Sequence, residues 1–189
     1  MYILTGIVVV ILLWLAGTYN RFVTLTTRVK EAWSDIDVQL KRRYDLIPNL
    51  VETVKGYAAH EKGTLEAVIQ ARNAAVSAEK TGDPKAMGAA EGILGAALGR
   101  LIALSEAYPD LKANANFQQL QAELSDIENK LAAARRFFNN AVGEYNTGRE
   151  QFPAVIFAGM FGFGPREFFD VGEDSRASMD AAPPQVKFN

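Results

Sequence analysis

Residues 22–58 read FVTLTTRVKEAWSDIDVQLKRRYDLIPNLVETVKGYA. Apolar side chains fall at Phe22, Leu25, Val29, Trp33, Ile36, Leu40, Tyr44, Ile47, Val51, Val54 and Ala58, always three or four apart. Only a helix returns a chain to one face at that interval. The stretch therefore predicts a single amphipathic helix about 54 Å long. Pro48 stands inside it, removing one backbone N–H and orphaning the Tyr44 carbonyl, at a cost of about 3 kcal/mol that packing must offset. A kink is expected there. It either lets a long helix follow the fold or passes membrane events mechanically to the rest of the chain.

Upstream the pattern changes. Met1–Tyr19 holds fifteen apolar residues and no charge, so all 42 charged side chains lie in the remaining 170 residues. At 1.5 Å per residue the run spans roughly 27 Å, the short end of what crosses a bilayer. Tyr2, Trp14 and Tyr19 lie near its ends, where interfacial aromatics are expected. A cleaved signal peptide fits less well, because no Lys or Arg precedes the run and bulky Trp14 occupies −3 relative to a cut after Ala16. Residues 1–19 are thus expected to anchor the chain in the lipid bilayer as a single span. Arg21, Arg28 and Lys30 follow it, so the positive-inside bias puts the main domain in the cytoplasm and the N-terminus outside.

Downstream, Leu65, Val68, Ile69, Arg72 and Val76 predict a shorter helix with Thr64 as its N-cap. Thr81-Gly82-Asp83-Pro84 marks a turn, and an Ala-rich helix follows to about Ala107, before Pro109. Phe117, Leu120, Leu124, Ile127, Leu131, Ala134, Phe138, Ala141 and Tyr145 then alternate by threes and fours, a heptad-like stripe. Asn116 with Gln119 resembles a capping box at its start. No strand pattern occurs. The fold class expected is all-α: an N-terminal transmembrane helix, then an antiparallel up-and-down four-helix bundle with long first and fourth helices. The divisions are 1–19 anchor, 20–153 bundle, 154–170 apolar Phe-rich segment and 171–189 disordered tail.

Composition removes most chemistry. With 20 basic and 22 acidic residues the chain lacks the positive surplus of a nucleic-acid binder. There is no Cys and one His, so thiol catalysis, thiolate metal sites and two-imidazole sites are excluded. His60-Glu61 starts like a zincin motif without its second His, and no nucleophile elbow is present. Gly159, Gly162 and Gly164 follow no strand, which argues against a phosphate cradle. Neither catalysis nor any cofactor or metal is expected.

Three features remain as candidate interaction surfaces. Lys41, Arg42, Arg43 and Asp45 form a dense charge cluster: a solvated face, a docking surface for a partner, or pairing with Glu123 or Glu128 across helices. Gly88, Gly92, Gly95 and Gly99 recur on one helix face, where each costs about 1 kcal/mol of propensity relative to Ala. Close approach of another backbone compensates, either inside the bundle or, through Gly92 and Gly95, between copies. Phe157, Phe161 and Phe163 belong to AVIFAGMFGFGPREFF, residues 154–169, which holds five of the eleven Phe. By helix parity this segment lies at the membrane-proximal end, near Phe152 and after Pro153. It either closes the bundle end or dips into the headgroup region.

The blocks IDVQLKRRYDLIPNLVETVKGYAAHE (36–61), SEAYPDLKAN (105–114), ENKLAAARRFFNNAVGEYN (128–146) and QFP (151–153) resemble, in order, the LemA family of membrane-anchored bacterial proteins. The resemblance implies an N-terminal transmembrane helix, a short external terminus and an up-and-down helical domain. It implies no mechanism. Relatives are associated with magnetosome membrane formation, and others are encoded beside membrane proteases. The expected role is a bacterial cell-membrane adaptor or scaffold whose partner is an unidentified membrane or cytoplasmic protein. The alternatives are an oligomeric membrane-shaping protein, which would form a homo-oligomer, or a non-catalytic regulator of a membrane protease.

Overall fold

A computed structural model describes residues 1–171. Six helices and no strand occur among the described residues: α1 (Tyr2–Lys55), α2 (Lys62–Glu79), α3 (Pro84–Ser105), α4 (Pro109–Ala113), α5 (Ala115–Glu150) and α6 (Ala154–Ala158). The four expected helices are present. The two additional helices are single turns, each following a Pro-bearing corner. The expected disordered tail, 171–189, lies outside the described residues apart from Val171.

The chain divides into two compact units. Among the described residues, one comprises 1–38 and 131–168, and the other 39–130 with 169–171. Helices α1 and α5 each contribute to both.

Helix α1 runs unbroken from Tyr2 through Pro48 to Lys55. The orphaned Tyr44 carbonyl has a substitute donor from α2: Arg72 Nε donates to it at 2.8 Å. A charged side chain thereby replaces the backbone bond that proline removes. Of the stripe marked out in the sequence, every member from Phe22 to Ala58 is buried except half-buried Trp33. The α5 stripe behaves alike, with Leu131 and Ile127 fully buried.

Local chemistry sets the helix ends. Gly82 takes a positive φ of 66°, and the Asp83 carboxylate accepts from the Lys85 N–H at 3.0 Å, capping α3 with Pro84 in its first turn. Two expected caps move. Asn114, not Asn116, caps α5, accepting from the Phe117 N–H at 2.9 Å, while Asn116 Nδ2 donates to Thr53 Oγ1 at 3.2 Å. Helix α2 starts before Thr64, at Lys62, and its buried face is Leu65, Val68, Ala71 and Ala75, with Ile69 exposed. The buried face thus runs through small alanines rather than through the bulkier Ile69 and Val76. Nearby, the Tyr108 hydroxyl donates to Glu61 Oε1 at 3.1 Å, which pushes its pKa up.

Candidate functional site

The first unit is organised by aromatic contacts on α1. The chain after α5 turns at Pro153, forms α6 and returns along α1. Phe157 meets Trp14 edge-on at 5.8 Å, Phe161 meets Tyr19 at 5.6 Å, and Phe163 contacts Tyr19 at 5.7 Å and stacks on Phe22 at 5.0 Å. The end of this loop is tied down. Tyr145 donates through its hydroxyl to the Gly164 carbonyl at 2.8 Å, and Asn146 holds the Arg166 backbone by its N–H and carbonyl at 3.0 and 2.9 Å. The Arg166 guanidinium lies 5.7 Å from the centre of the Tyr145 ring.

Phe157, Phe161 and Phe163 therefore come together, in different roles. Phe157 and Phe163 are half-buried against α1, whereas Phe161 remains exposed. Of the large apolar side chains in residues 152–169, those left most open are Phe152 at 81% and Met160 at 80%, followed by Ile156 and Val155. On the neighbouring surface a cleft of about 550 Å³ is lined by Arg21, Thr24, Arg28, Glu144, Thr147 and Gln151. Its Arg28–Glu144 pair, at 3.5 Å and well exposed, contributes little to stability.

The second unit holds a buried charge network. Arg43 Nη1 pairs with Glu91 Oε2, Arg43 Nη2 pairs with Glu128 Oε1 at 2.6 Å, and the Tyr44 hydroxyl donates to Glu91 Oε1 at 2.5 Å. The Arg43 and Glu91 side chains are 3% and 1% exposed. Burial, then the adjacent Glu91 carboxylate, pushes the Tyr44 hydroxyl above its ordinary range.

This corrects the charge cluster. Arg43 is no surface residue, because it stands three after Leu40 and four before Ile47 and so falls on the core stripe. Its pairing with Glu128 is one of the alternatives open at the sequence level. Lys41, Arg42 and Asp45 stay exposed. Glu91, buried on the Ala-rich helix α3, is the residue that sequence reasoning missed. A lone carboxylate among Ala, Gly and Leu is the signal that marked it.

The glycine face also differs from the expected tight crossing of helices. A Cβ on Gly88 would lie 1.9 Å from the Asp170 carbonyl oxygen, so the backbone that approaches is the chain after Phe169. On Gly95 it would meet only Arg43 Nη2 at 3.5 Å, and on Gly99 nothing within 4 Å. Gly92 is half-buried. His60 is exposed in the turn after α1, and among the described residues no cluster of three metal-ligating side chains occurs.

Helix α3 satisfies the same length and hydropathy criteria for a membrane span as the start of α1, yet it buries Met87, Leu94, Leu98 and Leu101 in the second unit. The start of α1 buries nothing. The class so defined is an all-helical protein in which one long helix begins with an apolar segment that has no buried residue. The family follows from comparison: the LemA family pattern matches residues 32–188, and the chain belongs to that family. Magnetosome protein MamQ of Magnetospirillum gryphiswaldense is 29% identical over 174 residues, covering 80% of this chain and 64% of that protein. MamQ 2 of Paramagnetospirillum magneticum is 28% identical over the same shares, so this chain spans a little under two thirds of these relatives. Protein LemA of Metamycoplasma hominis is 25% identical, covering 88% of this chain and 75% of its own length.

Proposed function

We propose that the protein is a non-catalytic, single-pass membrane scaffold. In this reading residues 1–19 span the bacterial cell membrane, the N-terminus lies outside, and α1, α2, α3 and α5 form an antiparallel up-and-down bundle at the cytoplasmic face. One observation carries it. Helix α1 is uncovered over its uncharged first third and core-forming over the rest, without a break between them. An apolar helix surface left open over that length matches a lipid environment, and an unbroken helix joins the span stiffly to the domain. Lys41, Arg42 and Asp45 are the surface proposed to meet a membrane or cytoplasmic partner.

The full-length protein should stay in membranes through alkaline carbonate washing, and release by carbonate would remove the anchor. A cysteine at position 2 and another at position 96 should label from opposite sides with an impermeant reagent. A photo-crosslinker at Arg42 should capture a distinct protein. Capture of the chain by itself alone would favour the second reading, a self-associating membrane-shaping protein, which the relatives named as magnetosome proteins support.

A further inference from the structure

We infer that residues 152–163 form a collar embedded in the acyl boundary of the bilayer leaflet from which α1 emerges, with Phe152, Val155, Ile156, Met160 and Phe161 facing lipid. This deepens the proposed function and rests on its spanning helix. The segment FPAVIFAGMFGF contains no polar side chain. At twelve residues it is too short to cross a membrane and has the length of an interfacial or re-entrant element.

Its depth follows from its contacts. Trp14 lies five residues before Tyr19, about 7.5 Å along the helix axis toward the bilayer centre. Phe157 packs on Trp14, while Phe161 and Phe163 pack on Tyr19. If Tyr19 marks the interface, α6 lies within the roughly 5–10 Å depth at which in-plane amphipathic segments rest. A core element would bury its apolar side chains. Here Ala158 is buried and Phe157 half-buried against α1, while the five lipid-facing residues are open.

The backbone suits that environment, in which unpaired amides are costly. The N–H groups of Val155, Ile156, Phe161, Gly162 and Phe163 donate to the carbonyls of Gln151, Pro153, Phe157, Gly159 and Ala158, and Pro153 has no N–H to satisfy. The hydrogen bonds from Tyr145 and Asn146 return the chain to polar surroundings at Gly164 and Arg166. Lipid, rather than a second copy, is the occupant because the open face continues the uncovered surface of α1.

The chain has no cysteine, so single-site spin labels can be placed without background. Full-length protein carrying Val9→Cys, Met160→Cys or Ala96→Cys would be reconstituted in vesicles of phosphatidylethanolamine and phosphatidylglycerol. Collision with oxygen and with a water-soluble nickel chelate would then be measured by EPR. The label at 160 should behave like the one at 9, oxygen-rich with loss of nickel access, while the one at 96 collides freely with nickel. An acyl-like 9 beside an aqueous 160 overturns the collar and leaves the span standing. Aqueous behaviour at both removes the span and the collar together. Loss of both oxygen and nickel access at 160, with dipolar broadening between labels, would assign the face to a second copy and also overturn the inference.

Discussion

Replacing Arg72 by Met should destabilise the protein, and replacing Pro48 by Ala should largely cancel the loss. Arg72 Nε donates to the Tyr44 carbonyl at 2.8 Å because Pro48 has no N–H to offer. A hydrogen bond from a charged donor contributes about 1.5–3 kcal/mol, and since Arg72 is half-exposed the lower part of that range applies. Met keeps the apolar stem, so lost packing is held small. In the Pro48→Ala background the new backbone N–H at position 48 can reach the same carbonyl in ordinary helical register, and Arg72→Met should then cost below about 0.5 kcal/mol. The coupling of at least about 1 kcal/mol exceeds the roughly 0.3–0.5 kcal/mol within which unrelated sites add. Denaturant unfolding of the full chain in detergent micelles, followed by helical circular dichroism, measures all four corners of the cycle. Equal costs of Arg72→Met in the two backgrounds would refute the reasoning.

In the buried network, Arg43→Met should cost about 3–5 kcal/mol because it strands the Glu91 charge, and adding Glu91→Met should recover much of that loss in the same unfolding assay. Tyr44→Phe should reshape the alkaline limb. The Tyr44 hydroxyl is held above its ordinary value of 10, so its stabilisation is complete below pH 10 and is lost as pH rises beyond it. A pH series of unfolding midpoints should show less of that loss in the variant. Gly99→Ala, with open space around it, should gain up to about 1 kcal/mol of helix propensity. Gly88→Ala should displace the chain at Asp170, read as faster labelling of a cysteine placed at Phe169. Leu131→Ala, at a position with no exposed surface, should cost about 2–5 kcal/mol.

Periodicity alone determined the helical class, the two long stripes and the core register along them, because burying a face depends on spacing that the chain itself carries. The uncharged run at the N-terminus was equally legible, since hydropathy over that length needs no knowledge of neighbours. Which residues close the fold's gaps was not legible. That Arg72 substitutes for the N–H missing at Pro48 depends on where α2 lies against α1. That Arg43 is core while Arg42 is solvated follows from a single step around the helix, yet its tolerance for burial depends on Glu91, 48 residues away. Gly88 is crowded by chain that returns near Asp170, not by the helix its spacing suggested. Phe157 and Phe163 were indistinguishable from Phe161 as members of one greasy segment. Only the placement of Trp14, Tyr19 and Phe22 decided that Phe157 and Phe163 are half-buried while Phe161, though it touches Tyr19, stays exposed, because a contact between distant residues is a property of the folded path and not of the spacing along the chain.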